Sequence, residues 1–267
     1  MNRIRPAAVA GSFYPSDPAR LRSMIDEMIA AVPPTSASAN DTIPAALIVP
    51  HAGYVYSGPV AATAYAVLTP WRDAIRRVVV IGPAHRVPVR GLALSSADGF
   101  ATPLGVVPVD QSANRLLAGL PGAHVDDRAH APEHSLEVQV PFLQATLGDR
   151  WSLVPIIAGN APAEMVAEAL AVFWGEPDTL VVVSSDLSHY HHALTARRLD
   201  AATAAAIVAA DWEMLSSDDA CGVVPVRGAL ELTRRYGEHV ALLDLRNSGD
   251  TAGPSDRVVG YGSFLVR

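Results

Sequence analysis

The sequence contains no lysine, one cysteine, and no apolar run as long as a membrane-spanning helix. Its 20 basic residues are therefore all arginine, which excludes Schiff-base chemistry on a lysine amine. The single thiol, Cys221, cannot form an internal disulfide and gives no sign of a secreted protein. The first residues lack the apolar core of a signal peptide, and no stretch reaches the ~20 residues of a membrane helix. We therefore expect a cytoplasmic protein without membrane association.

Charged residues are also scarce, at 18% of the chain, and the formal net charge is −7. Nucleic-acid binding needs a basic surface, so this balance argues against a nucleic-acid partner. Half of the 267 residues are hydrophobic, which is enough for a well-buried core without disulfides. We find no internal repeat and no domain boundary, and we expect a single domain over residues 1–267.

Apolar strand-like runs alternate with helical patterns along the chain, which predicts an α/β fold. Continuous apolar strands predict a single-domain sandwich, whose central, mostly parallel or mixed sheet is covered by helices on both faces. A Pro/Ser-rich stretch at 33–44 predicts a surface loop. The predicted strands are 45–49, 77–81, 151–158, 179–183, 240–245 and 257–266, with a shorter pair at 91–95 and 105–109. The predicted helices are 16–31, 57–68, 135–147, 162–174, 194–210 and 223–236, and another begins at Asp110.

Histidine or aspartate follows three of the buried-strand candidates at the point where each strand ends. His51 follows the first, His85 the second, and Asp186 with His189 the third. In open α/β sheets, ligands bind just beyond the carboxyl ends of the strands. We therefore expect these residues, although far apart in sequence, to converge on one edge of the sheet.

The residue types favour a metal site. Neutral imidazole is the commonest protein ligand for transition metals, and Cys221 offers a softer thiolate. Asp186, together with Glu133 or Glu137, is a candidate for orienting the imidazoles by hydrogen bonds. Cys221 taken alone has another interpretation, as an inert buried thiol.

Other candidates have weaker support. Tyr54 and Tyr56 flank His51 and either pack in the core or line the pocket. His191 and His192 are expected to face solvent or to cap a helix. No Gly-x-Ser-x-Gly elbow, dinucleotide fingerprint or phosphate loop is present, which disfavours serine hydrolysis and nucleotide binding. Three further histidines, His124, His130 and His239, are expected at the surface.

Six stretches, in consistent order along the chain, together resemble the Memo family. They are PAAVAGSFYP at 6–15, PHAGYVYSG at 50–58, GPAH at 82–85, EHSLEVQVPF at 133–142, SSDLSHY at 184–190, and Cys221-Gly222 with Pro225. The resemblance implies a fold like that of the catalytic subunit of class III extradiol dioxygenases, in which two histidines and a glutamate hold non-haem Fe(II).

For the metal, the resemblance implies one iron or copper ion held by His51, His85 and Cys221. It also implies that His189 and Asp186 line the same pocket. We take both as candidate catalytic residues, with His189 as the acid or base because the unperturbed pKa of histidine lies near neutrality. Neighbouring pocket residues are then Tyr54, His134 and Glu137. A thiolate in place of the dioxygenase carboxylate softens the site and shifts its preference toward copper or a redox role.

For partners, bacterial and archaeal members resemble one component of a three-part system with an AMMECR-type protein and a radical-SAM protein. Three hypotheses on function follow. The first is a metal protein with redox or oxygen-linked chemistry, acting on a small aromatic diol if it is a dioxygenase. The second is a module that binds a peptide or partner protein in the same pocket. The third is a metal-dependent hydrolase, which the motifs favour least because they lack a carboxylate-rich two-metal pattern.

Overall fold

The computed structural model describes residues 3–33 and 42–267. Among these residues, no helix is both long enough and apolar enough to cross a membrane. The strands are β1 (Ile4–Arg5), β2 (Ala46–Val49), β3 (Arg77–Pro83), β4 (Leu92–Leu94), β5 (Gly99–Thr102), β6 (Gly105–Pro108), β7 (Ala123–Val125), β8 (Ser152–Ala158), β9 (Thr179–Ser184), β10 (His189–His191), β11 (Val240–Asn247) and β12 (Val258–Val266). The helices are α1 (Pro18–Ala30), α2 (Tyr54–Val67), α3 (Gln111–Leu117), α4 (Asp127–His130), α5 (Gln139–Leu147), α6 (Ala163–Ala171), α7 (Ala193–Val208), α8 (Val223–Tyr236) and α9 (Ser248–Thr251).

A mixed sheet forms the centre of the molecule. Its strand order is β10-β12-β2-β9-β3-β8-β4-β7, and β11 pairs with β12. The four inner strands β2, β9, β3 and β8 are parallel, while β4 runs antiparallel to β8, and β12 runs antiparallel to β2. The predicted α/β class, with a mostly parallel or mixed sheet in one domain, is confirmed.

Helices cover both faces of this sheet, as predicted. On β2, Leu47 and Val49 point into a core formed with α1, α2 and α5, while Ala46 and Ile48 point into a second core formed with α3, α6, α7 and α8. Successive side chains of a strand alternate between faces, so a strand covered on both sides is apolar throughout. This explains the unbroken apolar run that made β2 predictable.

The predicted pairing of 91–95 with 105–109 is wrong. Leu92–Leu94 instead joins the central sheet between β8 and β7, while β6 pairs with β5. The tight turn from Thr102 to Gly105, where Gly105 has φ +124°, gives β6 a nearer partner than β4. Strands β1, β5 and β6 form a separate three-stranded sheet.

Several boundaries also differ from the predictions. Helix α2 begins at Tyr54 rather than at 57, so Pro59 lies inside the helix and not in its first turn. Helix α5 begins at Gln139 rather than at 135, since residues 135–138 form turns in which the N–H groups of Gln139 and Val140 bond carbonyls three residues back. Residues 34–41 of the loop predicted at 33–44 lie outside the described residues.

Candidate metal centre

Three strands of the central sheet end at the same level and deliver polar side chains to one edge. His51 lies two residues beyond β2, His85 two residues beyond β3, and Asp186 two residues beyond β9. Val49 of β2 pairs in register with Ser184 of β9, so His51 and Asp186 emerge side by side. The backbone N–H of His51 donates a 2.7 Å hydrogen bond to Oδ1 of Asp186.

The His51 ring is buried, and its hydrogen bonds determine its tautomer. Nδ1 lies 2.9 Å from the hydroxyl oxygen of Ser184. That hydroxyl donates its hydrogen to the carbonyl of Ser135 at 2.6 Å and also accepts from the Gln139 amide at 2.8 Å. Ser184 must therefore accept from His51, so that Nδ1 carries the hydrogen and Nε2 keeps a free lone pair.

His85 is oriented by Glu133. The carboxylate accepts the His85 backbone N–H at 2.6 Å and Nδ1 at 2.9 Å. Burial alone would raise the pKa of Glu133, but hydrogen bonds from His85 and from the backbone N–H of Ser135 hold it well below its usual range. An ionised carboxylate only accepts, so Nδ1 of His85 also carries the hydrogen and its Nε2 is free for a metal.

Cys221 reaches this site from the amino end of α8. Its Sγ lies 3.2 Å from Nε2 of His51, and the backbone N–H of Asp186 donates to it at 3.3 Å. Gly222 permits this close approach, since a Cβ there would lie 2.6 Å from the carbonyl oxygen of Ser184. Burial, followed by the nearby Asp186 carboxyl group, raises the pKa of the Cys221 thiol well above its usual value.

These three side chains fit a single metal ion. The donor atoms of His51, His85 and Cys221 all lie within 4.8 Å of one another. Metal–nitrogen bonds of ~2.0–2.1 Å and metal–sulfur bonds of ~2.3 Å place a nitrogen and a sulfur donor ~3.1–3.6 Å apart at angles of ~90–110°. The 3.2 Å separation between His51 and Cys221 agrees with this range. Binding would displace the thiol proton, because thiolate is the ligand form.

Two of these ligands open onto a cavity of about 760 Å³ that also contains His189. Nδ1 of His189 donates to the carbonyl of Leu187 at 2.7 Å, so its Nε2 is unprotonated in the neutral ring. Burial lowers the pKa of His189. The residues lining the cavity are His85, Leu187, His189, Tyr190, His191, Leu199, Ser217, Asp218, Asp219, Ala220 and Cys221.

Asp186 and His134 complete the inner surroundings. Burial raises the pKa of Asp186 to about 7, against the opposing effect of the backbone N–H groups of His51 and Ala52. The His134 ring stacks on His85 with centroids 4.6 Å apart, and its Nδ1 lies 3.3 Å from Oε1 of Glu133. Burial lowers the pKa of His134 to about 4, so the ring is neutral at neutral pH.

Two other predicted pocket residues have different surroundings. Tyr54 is buried, donates to the carbonyl of Val138 at 2.6 Å and packs against Phe142, which corresponds to the core-packing alternative. Glu137 accepts hydrogen bonds from Arg5, Tyr14, Ala8 and Val9 and so anchors the N-terminal segment. Of the two glutamates considered from the sequence, Glu133 is the one that orients a histidine.

The prediction that His130 lies at the surface is wrong. Its ring is 2% exposed, its Nε2 hydrogen-bonds the carbonyl of Ala93 at 3.0 Å, and it contacts Phe100. The one-turn helix α4, capped by Asp126, directs this side chain inward. His124 and His239 are exposed, as predicted; so are His191 and His192, and His192 caps α7.

Sequence reasoning missed the residues that hold His51 in its tautomer. Neither Ser184 nor Gln139 was among the predicted site residues. The available signal was the position of Ser184, a polar residue that ends an otherwise apolar buried strand. Gln139 gave no comparable signal, because its contacts with Ser184 and Pro50 depend on how α5 packs on the sheet.

A family model described as "Memo-like protein" matches residues 5–265 of the chain. A MEMO1 family protein of Aquifex aeolicus is 36% identical over 270 residues, with 97% of each chain covered. One from Sulfolobus acidocaldarius is 36% identical over 281 residues, again with 97% coverage of both. One from Methanopyrus kandleri is 35% identical over 281 residues, covering 98% of this chain and 99% of its own.

Proposed function

The chain belongs to the Memo family. We propose that it binds one iron or copper ion and uses it for redox or oxygen-linked chemistry on a small aromatic molecule. His51, His85 and Cys221 are the proposed ligands. The observation that carries the proposal is that one ring nitrogen of His51, one of His85 and the Sγ of Cys221 all lie within 4.8 Å of one another. In the neutral rings, the hydrogen bonds at Nδ1 leave Nε2 without a hydrogen. Each imidazole already has the tautomer that a metal requires.

The donor set supports a redox metal. A thiolate beside two imidazoles suits copper, iron or zinc, and disfavours magnesium and calcium, which prefer oxygen ligands. When bound, iron or copper would supply a one-electron redox centre with coordination positions left open by only three protein ligands. The cavity beside His85 and Cys221 gives a small molecule access to those positions.

His189 is the proposed acid or base. It shares the cavity with two ligands, and its Nε2 has no hydrogen in the neutral ring. Asp186 is proposed to support the site rather than to transfer protons, since its carboxyl group holds the backbone N–H of His51. The hydrogen bond from Nδ1 of His189 to the carbonyl of Leu187 keeps this imidazole in one tautomer.

Metal content tests the proposal directly. Protein purified without oxygen and without a metal-binding tag is expected to contain nearly stoichiometric iron or copper by elemental analysis. His51→Ala and Cys221→Ser are expected to lose it. His124→Ala, a histidine exposed on β7, is the matched control and is expected to retain the metal.

Two outcomes would contradict the proposal. A wild-type protein that takes up none of Fe(II), Cu(I) or Zn(II) would favour the peptide-binding alternative. Zinc alone, accompanied by ester or phosphate hydrolysis, would favour the hydrolase. The AMMECR-type and radical-SAM partners stay a prediction, to be checked by co-purification with the full-length chain from its source cells.

A further inference from the structure

The segment that connects β9 to β10 carries both Asp186 and His189 and is attached to β12 through its backbone. The Leu187 N–H donates to the carbonyl of Gly260 at 2.8 Å, and the Gly260 N–H donates to the carbonyl of Ser188 at 2.8 Å. These two bonds fix the segment beside the sheet just before His189. His189 itself pairs with Val259 of β12, so its orientation depends on that pairing and on what holds Leu187 and Ser188.

A buried carboxyl group from a different element reaches the same segment. Asp200 of α7 is 2% exposed, and its Oδ1 accepts the backbone N–H of Ser188 at 3.0 Å. Burial raises its pKa, against the opposing effect of the Ser188 N–H. Burying a carboxyl group is costly, and an apolar side chain would fill this space at lower cost. The carboxyl group of Asp200 at this buried position therefore indicates a specific structural role.

Gly260 is matched to Asp200. A Cβ at position 260 would lie 2.1 Å from Oδ2 of Asp200, so any other residue would displace the carboxyl group. The glycine thus lets Asp200 reach the segment that Gly260 itself hydrogen-bonds. Both contacts meet at Ser188, one residue before His189.

The backbone immediately after His189 is strained. Tyr190 has φ +65°, in the left-handed region that non-glycine residues seldom adopt, and its side chain is 63% exposed. Such a conformation persists only where the surrounding contacts determine it. The exposed ring of Tyr190 supplies little packing. The constraint comes from the backbone: His189 and His191 pair with Val259 and Val258 of β12 on either side of a bulge at Tyr190, and the bonds at Leu187 and Ser188 fix the segment that leads into it.

We propose that Asp200 is a positioning residue for His189, acting through the Ser188 backbone to keep the imidazole directed toward the cavity beside His85 and Cys221. The importance of that position rests on the proposed function, whereas the positioning itself is a property of the fold. Asp200 lies on a separate helix, so its removal leaves the three proposed metal ligands unchanged.

The test compares variants of the full-length protein by NMR of isotopically labelled histidine, with Zn(II) added as a diamagnetic probe. In the wild type, the His189 nitrogens are expected to show one tautomer, with hydrogen on Nδ1. Asp200→Ala is expected to give mixed tautomers or broadened signals for His189 alone, with unchanged zinc stoichiometry. Asp200→Asn, which keeps an acceptor for Ser188, is expected to restore the single tautomer.

Thr203→Val is the matched control, because Thr203 is buried on the same helix and its hydroxyl donates to the carbonyl of Leu199 in that helix. It is expected to leave His189 unchanged. If Asp200→Ala does not fold, Gly260→Ala is the second variant, because its added Cβ on β12 displaces the Asp200 carboxyl group. It is expected to give the same change in the His189 signals.

Unchanged His189 signals in Asp200→Ala or in Gly260→Ala would overturn the proposal, as would equal disturbance of every histidine. Zinc uptake separates this inference from the proposed function. A wild type that takes up none of zinc, iron or copper would contradict the metal site, while the His189 signals would still report on Asp200.

Discussion

The Sγ atom of Cys221 lies 3.2 Å from Nε2 of His51, although 170 residues separate them in the chain. His51 comes from the end of β2, and Cys221 from the residues that precede α8. The contact exists because α8 docks closely on the end of β9, where Gly222 meets Ser184. The candidate metal centre therefore depends on this docking as much as on the ligands.

Gly222→Ala tests the docking. The added Cβ would lie 2.6 Å from the backbone oxygen of Ser184, so α8 must shift and move Cys221 away from His51. We expect metal affinity to fall at least ~10-fold and stability to fall by about 1–3 kcal/mol, as is typical of overpacking. Metal titration and urea unfolding measure the two effects. Gly119→Ala, at an exposed site, is expected to change neither.

Glu133→Gln and Glu137→Gln form a matched pair, since both carboxylates are buried and four residues apart. Glu133→Gln weakens the orientation of His85, and we expect a ~10–100-fold loss of metal affinity. Glu137→Gln leaves the Arg5 charge buried without its partner, and we expect a loss of about 3–5 kcal/mol in stability. Its metal affinity is expected to stay within about twofold of wild type. Equal effects of both variants on metal affinity would contradict the separate tasks assigned to them.

Ser184→Ala removes the acceptor for Nδ1–H of His51. The ring is then free to adopt the other tautomer, with hydrogen on the nitrogen that faces Cys221, so we expect metal affinity to drop by roughly 10-fold. Isothermal titration with Zn(II) measures this change. The control is Ser263→Ala, whose buried hydroxyl pairs with Thr63 in another part of the core. A comparable loss of affinity in the control would show that the effect is not specific to His51.

His130 predicts a defined loss of stability in acid. Burial lowers its pKa from 6.5 to about 4 in the folded protein. The unfolded chain therefore binds a proton at higher pH than the folded one. The stability contributed by the neutral ring is present above pH 6.5 and is lost as the pH falls toward 4.

His130→Gln removes this titration while keeping a donor for the Ala93 carbonyl. Between about pH 7.5 and about pH 5, we expect wild-type stability to fall by about 2 kcal/mol more than that of the variant. Urea unfolding at both pH values measures the difference, and other titrating groups cancel in the comparison. Equal pH dependence in the two proteins would mean that folding leaves the pKa of His130 unchanged.

Errors in the sequence predictions share a physical origin. His130 was expected at the surface, but α4 turns it inward onto Phe100. Glu133 and Glu137 were indistinguishable by residue type and spacing. Only their tertiary contacts separate them, since Glu133 hydrogen-bonds His85 and Glu137 pairs with Arg5.

The sequence alone determined the layered α/β fold and three of the converging positions. Apolar runs report strands buried on both faces, and parallel strands deliver His51, His85 and Asp186 to one edge of the sheet. It was resemblance to a family that assigned Cys221 to the same centre. The tertiary structure decided what local pattern does not encode: the partner of each buried polar atom. The packing of elements distant in sequence decides which hydroxyl binds His51 and which glutamate binds His85. It also decides how α8 brings Cys221 to these histidines.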